Sequence, residues 1–311
     1  MMDNDSQRPQ HRQVSSTKPW LLVVMVDGSH SMGADWGGTK RPMSGIVEQA
    51  VNQLLYDMAL NYSTSEGTDE AALKDRIHLR LLVYSGEDDV DDPIPLPQGS
   101  SYLCASGDEG WVRNYSDLHH YPLSSPAEIP RWFEITPKGR TPMLMAFRTA
   151  RSVIEQHISD YPDSFSPVVL NVSDGEPTDC GDPIDWELLV SECDSIRSLG
   201  SEGNRPIICN VHLDPMGQSS PSLYPAEPPL VGGVESGLWL ASSKIPGHIA
   251  PLVPGDAHRD ELNERRFFVF NSDLIHFHEF LNFSTLLTHR QGQDPPAPTA
   301  FVLDVDFTEE E

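Results

Sequence analysis

Apolar residues in this chain gather into short unbroken runs, separated by longer stretches in which they recur every three or four positions. That is the alternation expected of buried parallel strands and amphipathic helices. The first run, WLLVVMV at 20–26, stops at Asp27. After the turn GADWGG at 33–38, Ile46, Val47, Ala50, Leu54, Leu55 and Met58 repeat at helical spacing. IHLRLLVY at 77–84 predicts a second strand. The segment 141–158 carries a Pro just inside its start and apolar residues at helical intervals, so a helix opening at Thr141 is expected. SPVVLNVSDG at 166–175 predicts a strand ending in Asp-Gly, 185–199 a helix closed near Gly200, and PIICNVHL at 206–213 another strand. A short helix over 237–243, a strand at 265–271 and a helix around 274–287 complete the pattern.

Five strand and helix alternations imply an α/β fold: a doubly wound, mainly parallel sheet with helices on both faces. Three stretches do not fit a period. Residues 1–18 are polar throughout and read as a flexible tail. The segment 85–138 is rich in Pro, Gly, Ser and Asp, includes the acidic run EDDVDD at 87–92, and reads as an insertion or elaborated edge within a domain spanning 19–290. Its acidic run reads as a solvated loop. Residues 214–235 read as a further loop. Beyond 290, QGQDPPAPTA resembles a Pro-rich linker, and FVLDVDFTEEE at 301–311 alternates apolar with acidic residues before a terminal acid run. Phe301, Leu303, Val305 and Phe307 would line one face of a strand able to dock on a sheet edge or on another copy, giving self-association through the tail.

The balance of 47 acidic to 21 basic residues, a net charge of -26, argues against nucleic acid or an anionic lipid surface as the main partner. Cys104, Cys180, Cys193 and Cys209 are widely spaced, without a Cys-x-x-Cys pair, so neither a zinc cage nor a disulfide framework is indicated. Residues 1–18 lack the apolar core of an export signal, and the run at 20–26 is too short to span a bilayer, so a cytoplasmic location off the membrane is expected.

In open α/β sheets, ligands bind beyond the carboxyl ends of the strands. Three polar clusters fall there: Asp27-Gly28-Ser29-His30-Ser31 after the first strand, Gly139-Arg140-Thr141 before a helix, and Ser173-Asp174-Gly175 after a middle strand. Asp27, Ser29, Ser31, Thr141 and Asp174 make an all-oxygen set of two carboxylates and three hydroxyls. Such a set suits a hard cation, Mg2+, Mn2+ or Ca2+, and suits zinc poorly.

Asp27-x-Ser29-x-Ser31, the later Thr141 and the later Asp174-Gly175 together resemble the metal-ion-dependent adhesion site of von Willebrand factor A domains. The resemblance covers about residues 20–290 and implies the doubly wound sheet already read from the pattern. It also implies that the hydroxyls bind the metal while the aspartates reach it directly or through water, and that a protein partner supplies an Asp or Glu to the open coordination position. The GxTPM sequence opening the second cluster's helix further resembles intracellular bacterial members, implying an adaptor in a stress or defence system. His30 and Arg140 depart from the usual pattern without removing a ligand oxygen.

Other readings compete with this one. Asp27, Thr141 and Asp174 could cap helices or turns in a metal-independent scaffold. Ser29-His30-Ser31-Met32-Gly33 comes close to a nucleophile elbow, which would make Ser31 a serine hydrolase nucleophile. It lacks the first Gly and follows the first strand, and that reading finds no use for Thr141, so no enzyme is expected. His119-His120 and His276-Phe277-His278 do not share a helical face and read as surface or packing residues. Trp111, Trp132, Trp186 and Trp239 read as packing.

Overall fold

The computed structural model describes residues 17–37, 39–64, 72–73, 77–86, 89–91, 135–201, 204–213, 221–229, 233–246, 265–272, 277 and 280. In chain order the elements are β1 (Trp20–Asp27), a 3-10 turn (His30–Gly33), α1 (Met43–Tyr62), β2 (Ser63–Thr64), β3 (Ala72–Leu73), β4 (Ile77–Ser85) and β5 (Asp89–Asp91). Then follow α2 (Met143–Asp160), β6 (Val168–Ser173), α3 (Trp186–Arg197), β7 (Ile207–Leu213), β8 (Ser222–Leu223), α4 (Gly233–Ala241) and β9 (Phe268–Ser272). Strands β2 and β3 form a separate antiparallel pair.

The chain is a mixed α/β structure around a seven-stranded, mostly parallel sheet of order β5-β4-β1-β6-β7-β9-β8. The pairs β4-β1, β1-β6, β6-β7 and β7-β9 are parallel, and only the edge pairs with β5 and β8 are antiparallel. From β1 the chain first adds β4 on one side and then β6 on the other. The order therefore reverses between β1 and β6, the point where such sheets leave a crevice at their carboxyl ends.

All eight residues of β1 are buried, as its unbroken apolar sequence requires of a strand covered on both faces. Alternation splits them. Trp20, Leu22, Val24 and Val26 pack with Val47, Ala50 and Leu54 of α1 and with Phe277 and Phe280. Leu21, Val23 and Met25 pack on the other side with Phe147 and Ile154 of α2, Leu189 of α3 and Leu238 of α4. Each such side chain stabilises by about 1.5–3 kcal/mol, so Leu22→Ala, which leaves a cavity in a layer with no slack, costs about 2–5 kcal/mol.

Several boundaries differ from the sequence reading. Asp89–Asp91 is an antiparallel edge strand on β4, not a loop. An acidic edge strand is a common device, because charge there discourages pairing with another chain. Ser222–Leu223 likewise forms a short edge strand inside the stretch read as a loop. Helix α2 opens at Met143 with Pro142 as its N-cap residue, two residues later than expected, because a residue preceding Pro is driven out of the α region. Helix α4 starts at Gly233, ahead of the expected 237. Residues 1–16 of the tail expected over 1–18, most of the segment 85–138 read as an insertion, Cys104, His119, His120, Trp111, Trp132, His276, His278 and residues 291–311 lie outside the described residues. Among the described residues no helix is long and apolar enough to cross a membrane.

Candidate metal centre

The end of β1 delivers Asp27 and the end of β6 delivers Ser173 and Asp174, on the two sides of the order reversal. Asp27 is fully buried and Asp174 is 8% exposed. The Asp27 carboxylate takes the Ser29 backbone N–H on Oδ1 at 2.8 Å and the Ser173 hydroxyl on Oδ2 at 2.6 Å. Ser29 Oγ lies 3.0 Å from Ser31 Oγ, and the Ser31 hydroxyl donates to Asp174 Oδ1 at 2.9 Å. Four of the five residues expected from the sequence are thus joined, directly or through Ser173 and the backbone, in one hydrogen-bonded cluster.

Thr141, 5% exposed, follows directly on a strip that touches the β1 loop, and its own bonds run to Thr178 and Met143. The strip 138–140 lies against the β1 loop: Lys138 N–H donates to the Gly28 carbonyl at 2.9 Å, and His30 N–H to the Gly139 carbonyl at 3.2 Å. Gly139 has φ +63°, and a Cβ there would fall 2.4 Å from Gly86 Cα, so glycine alone allows this approach. From the other side, Thr178 brackets Thr141, accepting its N–H on Oγ1 at 3.0 Å and donating its own N–H to the Thr141 carbonyl at 2.9 Å. Asp179 then caps α2 from this neighbouring loop, accepting Leu144 N–H at 3.1 Å and Met145 N–H at 2.8 Å. The side chains of His30 and Arg140, the two departures from the family pattern, are exposed.

Burial pushes the Asp27 carboxyl up to about 7, with Asp174 adding to the rise and the bonds from Ser173 and Ser29 opposing it. Burial also raises Asp174, against its bond from Ser31. Among the described residues, Asp174 Oδ2 is buried with no hydrogen-bond partner. Two desolvated carboxylates of like charge, one with an orphaned oxygen, carry an electrostatic cost that a cation between them would remove. The surrounding hydroxyls add neutral oxygen donors, so the residues fit a hard divalent ion. Among the described residues no group of three or more His, Cys, Asp and Glu comes together. The thiols of Cys180, Cys193 and Cys209 are free and buried, and burial raises all three.

Four contributors went unremarked as site residues in the sequence: Ser173, Thr178, Asp179 and Tyr84. Tyr84 is the register partner of Asp27 on β4 and is fully buried. Burial, then the charge of Asp27, pushes its hydroxyl well above the usual range. Ser173 is adjacent to Asp174 and so was within sight. The others act across long sequence separations, which a local pattern does not report.

No family model matches the chain, and no curated protein matches it in sequence. Among solved structures it is similar to the pilus adhesin SpaC from Lactobacillus rhamnosus GG, at 12% identity and a TM-score of 0.47, over 88% of this chain and 31% of that one. It is also similar to proximal thread matrix protein 1 from the mussel byssus, at 14% identity and a TM-score of 0.34, over 64% of this chain and 37% of that one. The chain thus spans well under half the length of both.

Proposed function

We propose that the chain is a von Willebrand factor A-type domain with a doubly wound sheet, which holds one divalent cation through Asp27, Ser29, Ser31, Thr141 and Asp174 and uses it to grip a protein partner. Mg2+ is the first choice, with Mn2+ and Ca2+ as alternatives. The observation that carries the reading is the buried Asp174 Oδ2, unpartnered among the described residues, in the same cluster as the fully buried Asp27 carboxylate. A scaffold that used these residues only as caps would leave that oxygen desolvated for no return.

Bound there, a cation among neutral hydroxyls would stay electrophilic and draw an oxygen anion into its open position. Ser173 and the Ser29 N–H orient the Asp27 carboxylate, Ser31 orients Asp174, and Thr178 fixes the backbone that carries Thr141. The partner's contribution is an Asp or Glu side chain. The family resemblance points to an adaptor in a cytoplasmic bacterial stress or defence system, and the free buried thiols accord with a reducing compartment.

The test is partner capture by the purified chain and by Thr141→Ala, with and without EDTA, alongside circular dichroism. The proposal expects chelator and substitution each to weaken capture about tenfold or more while the fold persists. Capture indifferent to both would favour a metal-independent scaffold, and covalent labelling of Ser31 by a serine-reactive probe would favour the hydrolase reading.

A further inference from the structure

One row of polar side chains crosses the sheet beneath the candidate centre, on the face otherwise filled by Leu21, Val23, Met25 and the helices α2, α3 and α4. Tyr84 on β4, Asn171 on β6, Asn210 on β7 and Ser242 just after α4 are all fully buried. The Tyr84 hydroxyl donates to Asn171 Oδ1 at 2.8 Å, Asn171 Nδ2 donates to Asn210 Oδ1 at 3.0 Å, and Asn210 Nδ2 donates to Ser242 Oγ at 2.9 Å. The Ser242 hydroxyl then donates to the Leu238 carbonyl at 2.7 Å.

The bonds of this row run one way. The Leu238 carbonyl, which also accepts the Ser242 backbone N–H at 3.0 Å, takes the Ser242 hydroxyl proton, and Ser242 Oγ in turn accepts from Asn210. With the Asn210 amide nitrogen turned toward Ser242, its oxygen faces Asn171. The Asn171 nitrogen is then committed in turn, and its oxygen can only accept from Tyr84. The one proton of Tyr84 is therefore held away from the rim, although Tyr84 is the register partner of Asp27 and lies beside the Ser173 hydroxyl that bonds Asp27.

We propose that this one-way chain is a positioning device for the metal rim: it keeps the Tyr84 proton from competing for Asp27 and presents only oxygen lone pairs to the Ser173–Asp27 pair, so that the pair is completed by a cation. Tyr84, Asn171, Asn210 and Ser242 are positioning residues and touch no ligand themselves. Aligned bonds in a buried row polarise one another, so loss of the anchor at Ser242 is felt at Tyr84. Freed from its fixed direction, the Tyr84 hydroxyl can turn toward Ser173 and Asp27 and compete with the metal. The inference rests on the metal-centre reading above.

The experiment titrates Mn2+ calorimetrically into the wild-type chain, Ser242→Ala, Ser242→Cys and Ser242→Thr, with thermal unfolding in chelator as the measure of purely structural damage. Ser242→Ala and Ser242→Cys are expected to bind Mn2+ about threefold to tenfold more weakly, and Ser242→Thr, which keeps the hydroxyl, to match wild type. Should Ser242→Ala fail to fold, the near-isosteric Ser242→Cys decides. A folded Ser242→Cys or Ser242→Ala that binds Mn2+ as tightly as wild type overturns the positioning role and leaves the metal centre standing, whereas a wild-type chain that binds no Mn2+ overturns both.

Discussion

The two ends of the parallel sheet bury titratable side chains in opposite ways. At the carboxyl end, Asp27 and Asp174 belong to one hydrogen-bonded cluster, and burial raises both. At the amino end, His78 on β4 meets His157 in the last turn of α2 edge to face, ring centroids 5.2 Å apart, with Tyr161 5.0 Å from His78 and 5.3 Å from His157. There burial, with His78 adding to it, lowers His157 to about 3. Both ends pay for burial by disfavouring the charged form. The difference lies in what remains. The His157 imidazole sheds its charge and is held by ring contacts, although its Nε2 has no hydrogen-bond partner among the described residues, whereas Asp27 and Asp174 repel each other whenever both are ionised. An unpartnered polar atom is therefore common to both ends, and what sets the rim apart is two carboxylates of like charge joined through hydroxyls in one cluster.

The largest expected effect separates the ends outright. Asp27→Ala should reduce Mn2+ or Mg2+ affinity by about a hundredfold or more in calorimetry, since it deletes one of two charges opposing the ion. Next comes pH. Asp27 titrates near 7 in the metal-free fold, so a proton competes with the cation below that value, and affinity should fall by up to about tenfold per pH unit as pH drops from 7 toward 5. A pH-independent affinity over that range would remove Asp27 from the set of ligands.

Smaller effects concern stability, and their signs oppose each other. The folded-state value for Asp27 lies above the unfolded one. The metal-free fold is therefore penalised progressively as pH rises from about 4 to 7, fully so above 7. Asp27→Asn, which keeps the shape and loses the charge, should stabilise the metal-free chain by roughly 1–3 kcal/mol at pH 8 in denaturant unfolding while eliminating metal binding. His157 lies below its unfolded value, so its contribution is complete above about 6.5 and is lost as pH falls toward 3. His157→Phe should flatten that acid loss. Being remote from the rim, it should change Mn2+ affinity by less than about twofold, the smallest effect of the set.

The parts of this arrangement legible in the sequence are those that local patterns encode. The run at 20–26 predicted β1 because a strand buried on both faces must be continuously apolar, and 77–84 predicted β4 because it alternates at first and then becomes apolar. Asp27, Ser29, Ser31 and Asp174 stood out because each follows such a run, where chain reversal places polar residues at one rim. Strands β5 and β8, three and two residues long, are too short to carry a period. The cap that Asp179 places on α2 crosses about 35 positions of sequence and depends on tertiary approach. Asn171 and Asn210 were visible as the lone polar residues inside VVLNV and IICNV, but their pairing follows from β6–β7 register, which no single strand reveals.

The most direct measurement is a crystal structure grown in excess Mn2+ and phased on its anomalous signal. The account predicts one strong anomalous peak at the carboxyl end of β1 and β6, with Ser29 Oγ and Ser31 Oγ at about 2.0–2.3 Å and Asp27 and Asp174 at that distance or one water further. A rim without a peak, its carboxylates still bonded only to Ser29, Ser31 and Ser173, would contradict it.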